Sequence, residues 1–464
     1  MNRLRLLLLA AALSGCPATT SAADPPGPVD IGGRRELFVD DVLIESRTGA
    51  EFVMHRPEAR DVAIVCDRPW EGNISAYYTL FADGDIFRMY YRGAHWDEQA
   101  KRSTHPEFAC YAESRDGITW VKPELGLHEF AGSKANNIIL TGAGTHNFTP
   151  FRDPRPHCPP QSRYKALAGD GSGLLAWQSP DGIHWSLISN TPVITNGAFD
   201  SQNLAFWDAV TSRYRAYWRY FQADSGVRAI RTASSTDFVN WKDETDLAYD
   251  KAPPEHLYTN AVMPYFRAPH LYLGFPTRFQ PKNQQVEPVL MTSRDGVNFH
   301  RWPEPLIPID APQDRDGNRS NYMTSGLLQL PSEPGQLSVY ATEAYYAGPG
   351  SRVRRFVVRT DGFVSLQAKS QPGDVLTKPI RFSGQSLQLN FRTAATGRLR
   401  VELQSVDGTP LPGLSLADCE DLHGDEIAKV VTWKSGNTPA IATGQPVRLR
   451  FQLQDANVYS MKFD

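Results

Sequence analysis

One heptad constrains this chain more than any other feature, because it comes back at a near-constant interval. Ser114-Arg-Asp-Gly-Ile-Thr-Trp120 returns as Ser179-Pro-Asp-Gly-Ile-His-Trp185, then as Ser235-Thr-Asp-Phe-Val-Asn-Trp241 and Ser293-Arg-Asp-Gly-Val-Asn-Phe299. A degenerate fifth copy is Arg359-Thr-Asp-Gly-Phe363. The aspartates stand at 116, 181, 237, 295 and 361, so the intervals are 65, 56, 58 and 66 residues. Periods of that length signal repeated supersecondary units. Asp-Gly between two extended apolar runs is a tight hairpin turn, with Gly free to take φ > 0 and Asp bonding its own backbone. The aromatic residue three places after the Gly would pin each turn onto a neighbouring sheet. The five aspartates are therefore read as turn residues and left out of any site.

Each period accommodates four short strands rich in aromatic and β-branched residues, which is the pattern of a closed all-β architecture. The first holds Ala76–Phe81, Phe87–Arg92 and Phe108–Glu113, closed by Trp120–Lys122, and the fifth holds Tyr322–Leu330, Leu337–Thr342 and Arg352–Val358, closed by Phe363–Gln367. The prediction is a five-bladed β-propeller. After Gln367 the cadence breaks at Gln371-Pro-Gly, and alternating strands such as Leu387–Phe391, Leu399–Leu403 and Val458–Phe463 follow. Alternation of this kind fits a small antiparallel β-sandwich with one face packed inward.

At 464 residues the chain needs more than one core. Arg3 and Arg5 precede the apolar run Leu6–Leu13, which makes the N-terminus a targeting segment rather than part of the fold. Leu13-Ser14-Gly15-Cys16 resembles a bacterial lipobox in which Cys16 would be lipidated, and a competing cleavage lies after Ala23. The expected plan is a leader over 1–23, a spacer and opening strand over 24–50, the propeller over 51–370 and the sandwich over 371–464. Export to a membrane anchor, the periplasm or the exterior follows from that leader. No later run of about 18 apolar residues could span a bilayer, so a lipid on Cys16 would be the only membrane attachment. A net charge of −3 with no basic stripe argues against a nucleic-acid partner. Cys66, Cys110, Cys158 and Cys419 show no metal spacing and read as single buried thiols. Asp314-Arg-Asp316-Gly-Asn318 opens like a calcium loop, but Ser325 stands where the bidentate Glu belongs, so no metal is assigned.

A propeller gathers the starts of its first strands around one channel. Those starts carry Trp70-Glu71-Gly72-Asn73, Phe199-Asp200-Ser201-Gln202-Asn203, Glu255-His256-Leu257-Tyr258-Thr259-Asn260 and Asp316-Gly-Asn318-Arg-Ser-Asn321, while Arg152-Asp153-Pro154 closes the first strand of the second blade. Carboxylates, amides and flat rings together suit a polyhydroxylated ligand. The chain resembles the invertase/arabinanase-like glycoside hydrolases of families 32, 43, 68 and 117, and more closely a group of exported bacterial family 32-like proteins. The resemblance rests on the propeller-plus-sandwich plan, on Arg152-Asp153-Pro154, on the Leu37-Phe38-Val39-Asp40-Asp41 opening and on Asp418-Cys419-Glu420 with Gly424-Asp425. The family 32 nucleophile motif and its Glu-Cys acid motif are missing.

What the resemblance implies is an exported glycosidase acting on plant or algal oligo- or polysaccharides, without a cofactor. Such cleavage ordinarily uses two carboxyl groups, one protonated and one ionised. The candidates are Glu71 or Asp200 as base or nucleophile, Asp153 as stabiliser and Glu343 as acid. Trp70, Asn73, Arg152, Asn203, His256, Tyr258, Asn260 and Arg278 are the candidate sugar-binding residues. Arg92, Arg219 and Arg278, which end second strands, read either as blade-to-blade ion pairs or as contacts to an acidic sugar. A carbohydrate-binding propeller without catalysis, and a surface scaffold with an apolar plug in its channel, are the competing readings. No phosphate loop, His-Glu-x-x-His or Gly-x-Ser-x-Gly occurs.

Overall fold

The computed structural model describes residues 27–250, 252–308 and 321–464. The leader, Cys16 and the Asp314–Asn318 stretch lie outside the described residues. Every regular element described is a β-strand apart from two short 3-10 turns.

Five sheets carry the repeat. The first runs Ala76–Asp83, Ile86–Gly93, Phe108–Ser114 and Ile138–Thr141, each antiparallel to the next. The second runs Thr149–Arg152, Tyr164–Asp170, Gly173–Ser179 and Ser186–Leu187, and the third runs Leu204–Asp208, Arg213–Phe221, Arg228–Ser235 and Trp241–Asp246. In the fourth, Met263–Tyr265, Ala268–Gly274, Gln285–Ser293 and Asn298–Pro305 pair in turn, with Thr277–Gln280 and Ala248–Asp250 added at the sides. The fifth joins Gln336–Glu343 to Arg352–Arg359, and the segment around Met323 and Leu328 bridges to Ala341 and Ser338. Its last strand is Glu58–Val65, which comes from before the first sheet and pairs with Arg352–Val357. Phe363–Gln367, the strand expected there, belongs to the C-terminal module instead, where Val364–Ala368 lies between Glu51–Met54 and Arg448–Phe463. In the first sheet, Trp120–Lys122 is likewise replaced as fourth strand by Ile138–Thr141, keeping only a bridge from Val121 to Glu113.

The repeated turns do what their chemistry requires. Ser114 Oγ accepts from the Gly117 amide and Asp116 Oδ1 from the amides of Ile118 and Thr119, all at 2.8 Å. The same bonds form at Ser179/Asp181, Ser235/Asp237 and Ser293/Asp295. The turn carbonyls then join sheet to sheet. Tyr90 of the first sheet donates to Gly182 O, Tyr217 of the third to Gly296 O, and Tyr340 of the fifth to Gly117 O. Trp120 packs edge-on to Tyr340, and Trp185 to Tyr90. The bond from the fifth sheet to the first closes a ring. First-strand residues Thr79–Ala82, Thr149–Phe151, Leu204–Phe206 and Val262–Pro264, together with Ser325–Gln329, line one cavity of about 480 Å³ on its axis.

The fifth copy of the turn departs from the others. Asp361 is fully buried and receives Arg267 Nε at 2.8 Å, Tyr265 OH at 2.6 Å and Ser460 Oγ at 2.8 Å, with Arg35 Nη1 3.4 Å away. These partners hold its carboxyl below the ordinary range although burial pushes the other way. It clasps the ring to the second module.

That second module is built on an eight-stranded sheet over one apolar core. Leu387–Gln404 and Arg448–Phe463 pair along nearly their whole length, and Phe382 stacks on Phe463 at 3.8 Å. Residues before the ring complete it: Ile44–Thr48 pairs with Gly373–Thr377, Glu36–Leu37 with Ser460–Met461, and Val29–Gly32 with Ile380–Phe382. The stretch read as spacer and opening strand is therefore part of the C-terminal core, to which Ile31, Phe38 and Leu43 contribute. Burial of their apolar surface is the force that recruits them. Cys66, Cys110 and Cys419 are buried free thiols, and Cys158 is half-buried.

Candidate functional site

The first strands begin at one end of the ring axis, and there the polar side chains meet. Tyr77, Gln202, Tyr258, Tyr322 and Tyr345 surround a narrow cavity of about 20 Å³, so aromatic rings floor this mouth. Tyr258 lies edge-on to Tyr322, and Tyr322 to Tyr345.

Above the floor stands His146, three residues before the second sheet's first strand. Its Nδ1 lies 2.9 Å from Glu107 Oε2 and its Nε2 2.9 Å from Asp200 Oδ1. Burial would lower the imidazole pKa, but the bonds to Asp200 and Glu107 outweigh it and raise the value above the ordinary one. Asp200, two-thirds exposed, is pulled down to about 2, first by the hydrogen bond from His146, with Arg219 and Arg92 helping. Glu107 is also held low, because His146 and Arg92 overcome its burial. Among the described residues, Asp200 Oδ2 has only loose neighbours, Tyr258 OH at 3.5 Å and Arg219 Nη2 at 3.9 Å. Tyr77, at φ 57°, offers its hydroxyl to Asp200 Oδ1 at 3.4 Å and its ring edge to His146. Arg92 reaches Tyr345 OH at 2.9 Å and Ile74 O at 2.8 Å, with its guanidinium over the Tyr77 ring. The mouth thus joins an ionised, accessible carboxylate to an imidazole whose pKa is raised, on a tyrosine floor.

Of the sequence-derived carboxylates, Asp200 alone comes to this cluster. Asp153 lies past the end of its strand, at the opposite end of the axis, where it takes Lys165 Nζ at 2.5 Å and Tyr214 OH at 2.6 Å. The Tyr214 bond belongs to a series, since Tyr164 donates to Asp83 and Tyr272 to Asp208 across the adjacent sheet boundaries. Asp153 is one rung of that series, and Arg152 beside it pairs loosely with Asp83. Glu71 is buried against Lys122 Nζ at 2.6 Å and Tyr91 OH at 2.5 Å inside the first sheet's core. Glu343, fully buried, pairs with Arg352 and Arg354 at 2.7 and 2.5 Å. These three are held by fixed cations, which fits an internal ion pair better than a titrating acid.

The binding candidates divide in the same way. Tyr258 is in the floor, and His256 stands next to it with its Nδ1 accepting from the Arg228 amide at 3.2 Å. Asn203 and Asn260 are buried, and their amides bond backbone carbonyls at the strand starts, Asn260 reaching Gln202 O in the preceding sheet. Asn147 does the same to Phe199 O. Asn73 braces Trp96, and Trp70 donates to Asn137. Arg278 is engaged by Glu255 and Glu287. Sequence reasoning missed His146, Glu107 and Tyr77. The buried asparagines at 147, 203, 260 and 321 carry the usable signal, because each marks the start of a first strand and so places His146 at the rim.

Fold and mouth together define an all-β propeller with an appended sandwich and a polar site on its axis. No protein-family model matches the chain, and no curated protein matches it in sequence. Among solved structures it is similar to beta-1,2-mannobiose phosphorylase from Listeria innocua in complex with beta-1,2-mannobiose, at 12% identity and a TM-score of 0.47 over 66% of this protein and 97% of that one. It is similar to a thermostable family-43 glycoside hydrolase, at 12% identity and 0.45 over 64% and 95%. A third is an endo-arabinase from Bacteroides thetaiotaomicron, at 9% identity and 0.42 over 65% and 99%. With TM-scores below 0.5, these likenesses add no weight to the reading of the site.

Proposed function

We propose that the chain is an exported glycoside hydrolase acting on plant or algal saccharides at the axial mouth. The observation that carries this reading is the Glu107–His146–Asp200 line on a floor of tyrosines. Glycosidic cleavage needs a proton for the departing oxygen and negative charge beside the anomeric carbon. His146 supplies the first, since its raised pKa favours the cationic form and Glu107 fixes its Nδ1 side. Asp200 supplies the second through the loosely held Oδ2. The proton passes from His146 to the leaving oxygen as the glycosidic bond breaks, water adds to the anomeric carbon, and its proton returns through Asp200 to the imidazole. Tyr258 and Tyr345, both partly exposed, offer the aromatic surface against which a sugar ring packs.

A second reading, carbohydrate binding without cleavage, is favoured by one feature. Both mouth carboxylates are held ionised, and a carboxylate at about 2 is a weak base. The two readings separate in a release assay on fructans, arabinans, and sulfated and unsulfated algal oligosaccharides. Release abolished by both Asp200→Asn and His146→Gln, and kept by Asp153→Asn, supports the hydrolase. Binding with no release from any substrate supports the second reading, and release indifferent to Asp200 and His146 removes the site from consideration.

A further inference from the structure

Several arginines on the strands of the ring are matched to carboxylates. Arg88 meets Asp83, Arg231 meets Glu244 and Asp246, Arg278 meets Glu255 and Glu287, and Arg301 meets Glu255. Two arginines at the mouth are matched less well. Among the described residues Arg219 has only Asp200, at 3.9 Å, and that carboxylate is already bonded to His146. Its side chain is 4% exposed, Nε is spent on Ala198 O, and Nη1 has no partner. Arg228 has no carboxylate within ion-pair distance among the described residues, and its Nε is also without a partner.

The two guanidinium groups are adjacent. Arg219 lies over Tyr258 at 4.7 Å and Phe221 at 5.3 Å, and Arg228 over the same rings at 5.3 and 5.4 Å, as well as Phe279 at 4.8 Å. Ring faces hold both planes in place, so little side-chain entropy is left to lose when an anion arrives. Beside them His256 is kept neutral, by burial first and then by Arg228, and it accepts from the Arg228 amide. Two like charges held together with so little counter-charge are costly unless a ligand supplies it. Phe221, about half exposed, completes the wall on the solvent side.

We infer that the Arg219–Arg228 wall is a subsite for the anionic group of an acidic saccharide, a uronate carboxylate or a sulfate half-ester. This rests on the reading of the mouth as a saccharide site. Guanidinium forks bind both anions through paired, charge-assisted bonds, whereas a neutral sugar leaves them unmatched. Asp200 beside the wall sets the order: the sugar ring lies over the tyrosines and its anionic arm points toward Arg228.

The test is binding and release with three matched oligosaccharide sets, neutral, uronate-bearing and sulfated, on the full chain. The expected result is that one acidic set binds about 10- to 100-fold more tightly than the neutral set, a gap that Arg228→Gln closes and Arg228→Lys partly restores. Added salt should narrow the same gap. Whichever acidic set shows it identifies the anion. Equal affinity for neutral and acidic sets, or a preference that Arg228→Gln leaves intact in a variant melting with the wild type, overturns the inference. Acid-selective binding without release from any set would keep the subsite and sink the hydrolase reading. Release from neutral sugars with no acid preference would do the reverse.

Discussion

The two ends of the ring axis use the same residue type for opposite purposes. At the strand starts, Asp200 is exposed, carries a histidine on one oxygen and leaves the other almost open. Beyond the strand ends, Asp153 is shut away with a lysine, a tyrosine and the Cys158 thiol. The end of the strand at which a carboxylate falls, rather than the motif it belongs to, decides whether it can do chemistry. Arg152-Asp153-Pro154 is the more recognisable signature, and the structure uses it as one rung of the Tyr–Asp series that also includes Asp83 and Asp208.

The sharpest way to break this comparison is to neutralise each carboxylate in turn. Asp200→Asn should cut saccharide release by about 10²- to 10⁴-fold, the range for losing a positioned acid–base group, with a melting midpoint close to wild type. A large loss of stability instead would put Asp200 in the same structural class as Asp153. Asp153→Ala strands a buried ammonium and should lower unfolding free energy by about 3–5 kcal/mol in urea titrations, leaving ligand affinity of the folded fraction unchanged. Tyr164→Phe and Tyr272→Phe each delete one rung, at about 0.5–1.5 kcal/mol, and the double variant should be additive because the rungs lie at different sheet boundaries.

The smallest effect is in pH. His146 has a raised folded pKa, so its stabilising contribution is complete below about pH 6.5 and is lost as pH rises through the raised value. Asp153, whose folded pKa is lowered, contributes above about pH 3.9 and loses that contribution as pH falls through its folded value. Urea midpoints across pH should therefore lose an alkaline slope in His146→Gln and an acid slope in Asp153→Asn. An unchanged alkaline slope in His146→Gln would mean that His146 is neutral at the mouth.

Much of the fold was legible because the turns are local. Ser114 and Asp116 bond amides within three residues, so their pattern survives in sequence wherever the turn does. The fifth copy kept its Asp-Gly and changed its use, because Asp361 answers to Arg35, Arg267 and Ser460, none of which is near it in sequence. The mouth was harder for the same reason. Glu107, His146 and Asp200 come from three separate connections and share no local motif, and their meeting depends on closure of the ring. Glu71 and Glu343 illustrate the limit. Nothing near Glu71 in sequence announces Lys122, and Glu343 meets Arg352 and Arg354 through the pairing of its own hairpin, in which Glu343 lies opposite Arg352.

The last strand of the ring is Glu58–Val65, and residues 29–54 are woven into the C-terminal core. Beginning and end of the chain therefore interlock twice, and no single cut separates one module from the other. A polypeptide wired this way has high contact order, so its slowest folding step should wait for the final strand, Arg448–Phe463, to arrive. A ribosome-bound or truncated chain lacking that strand would leave both Glu36–Leu37 and Val364–Ala368 without their shared neighbour. Residues 29–54, made long before that strand, are thus among the last to find their place.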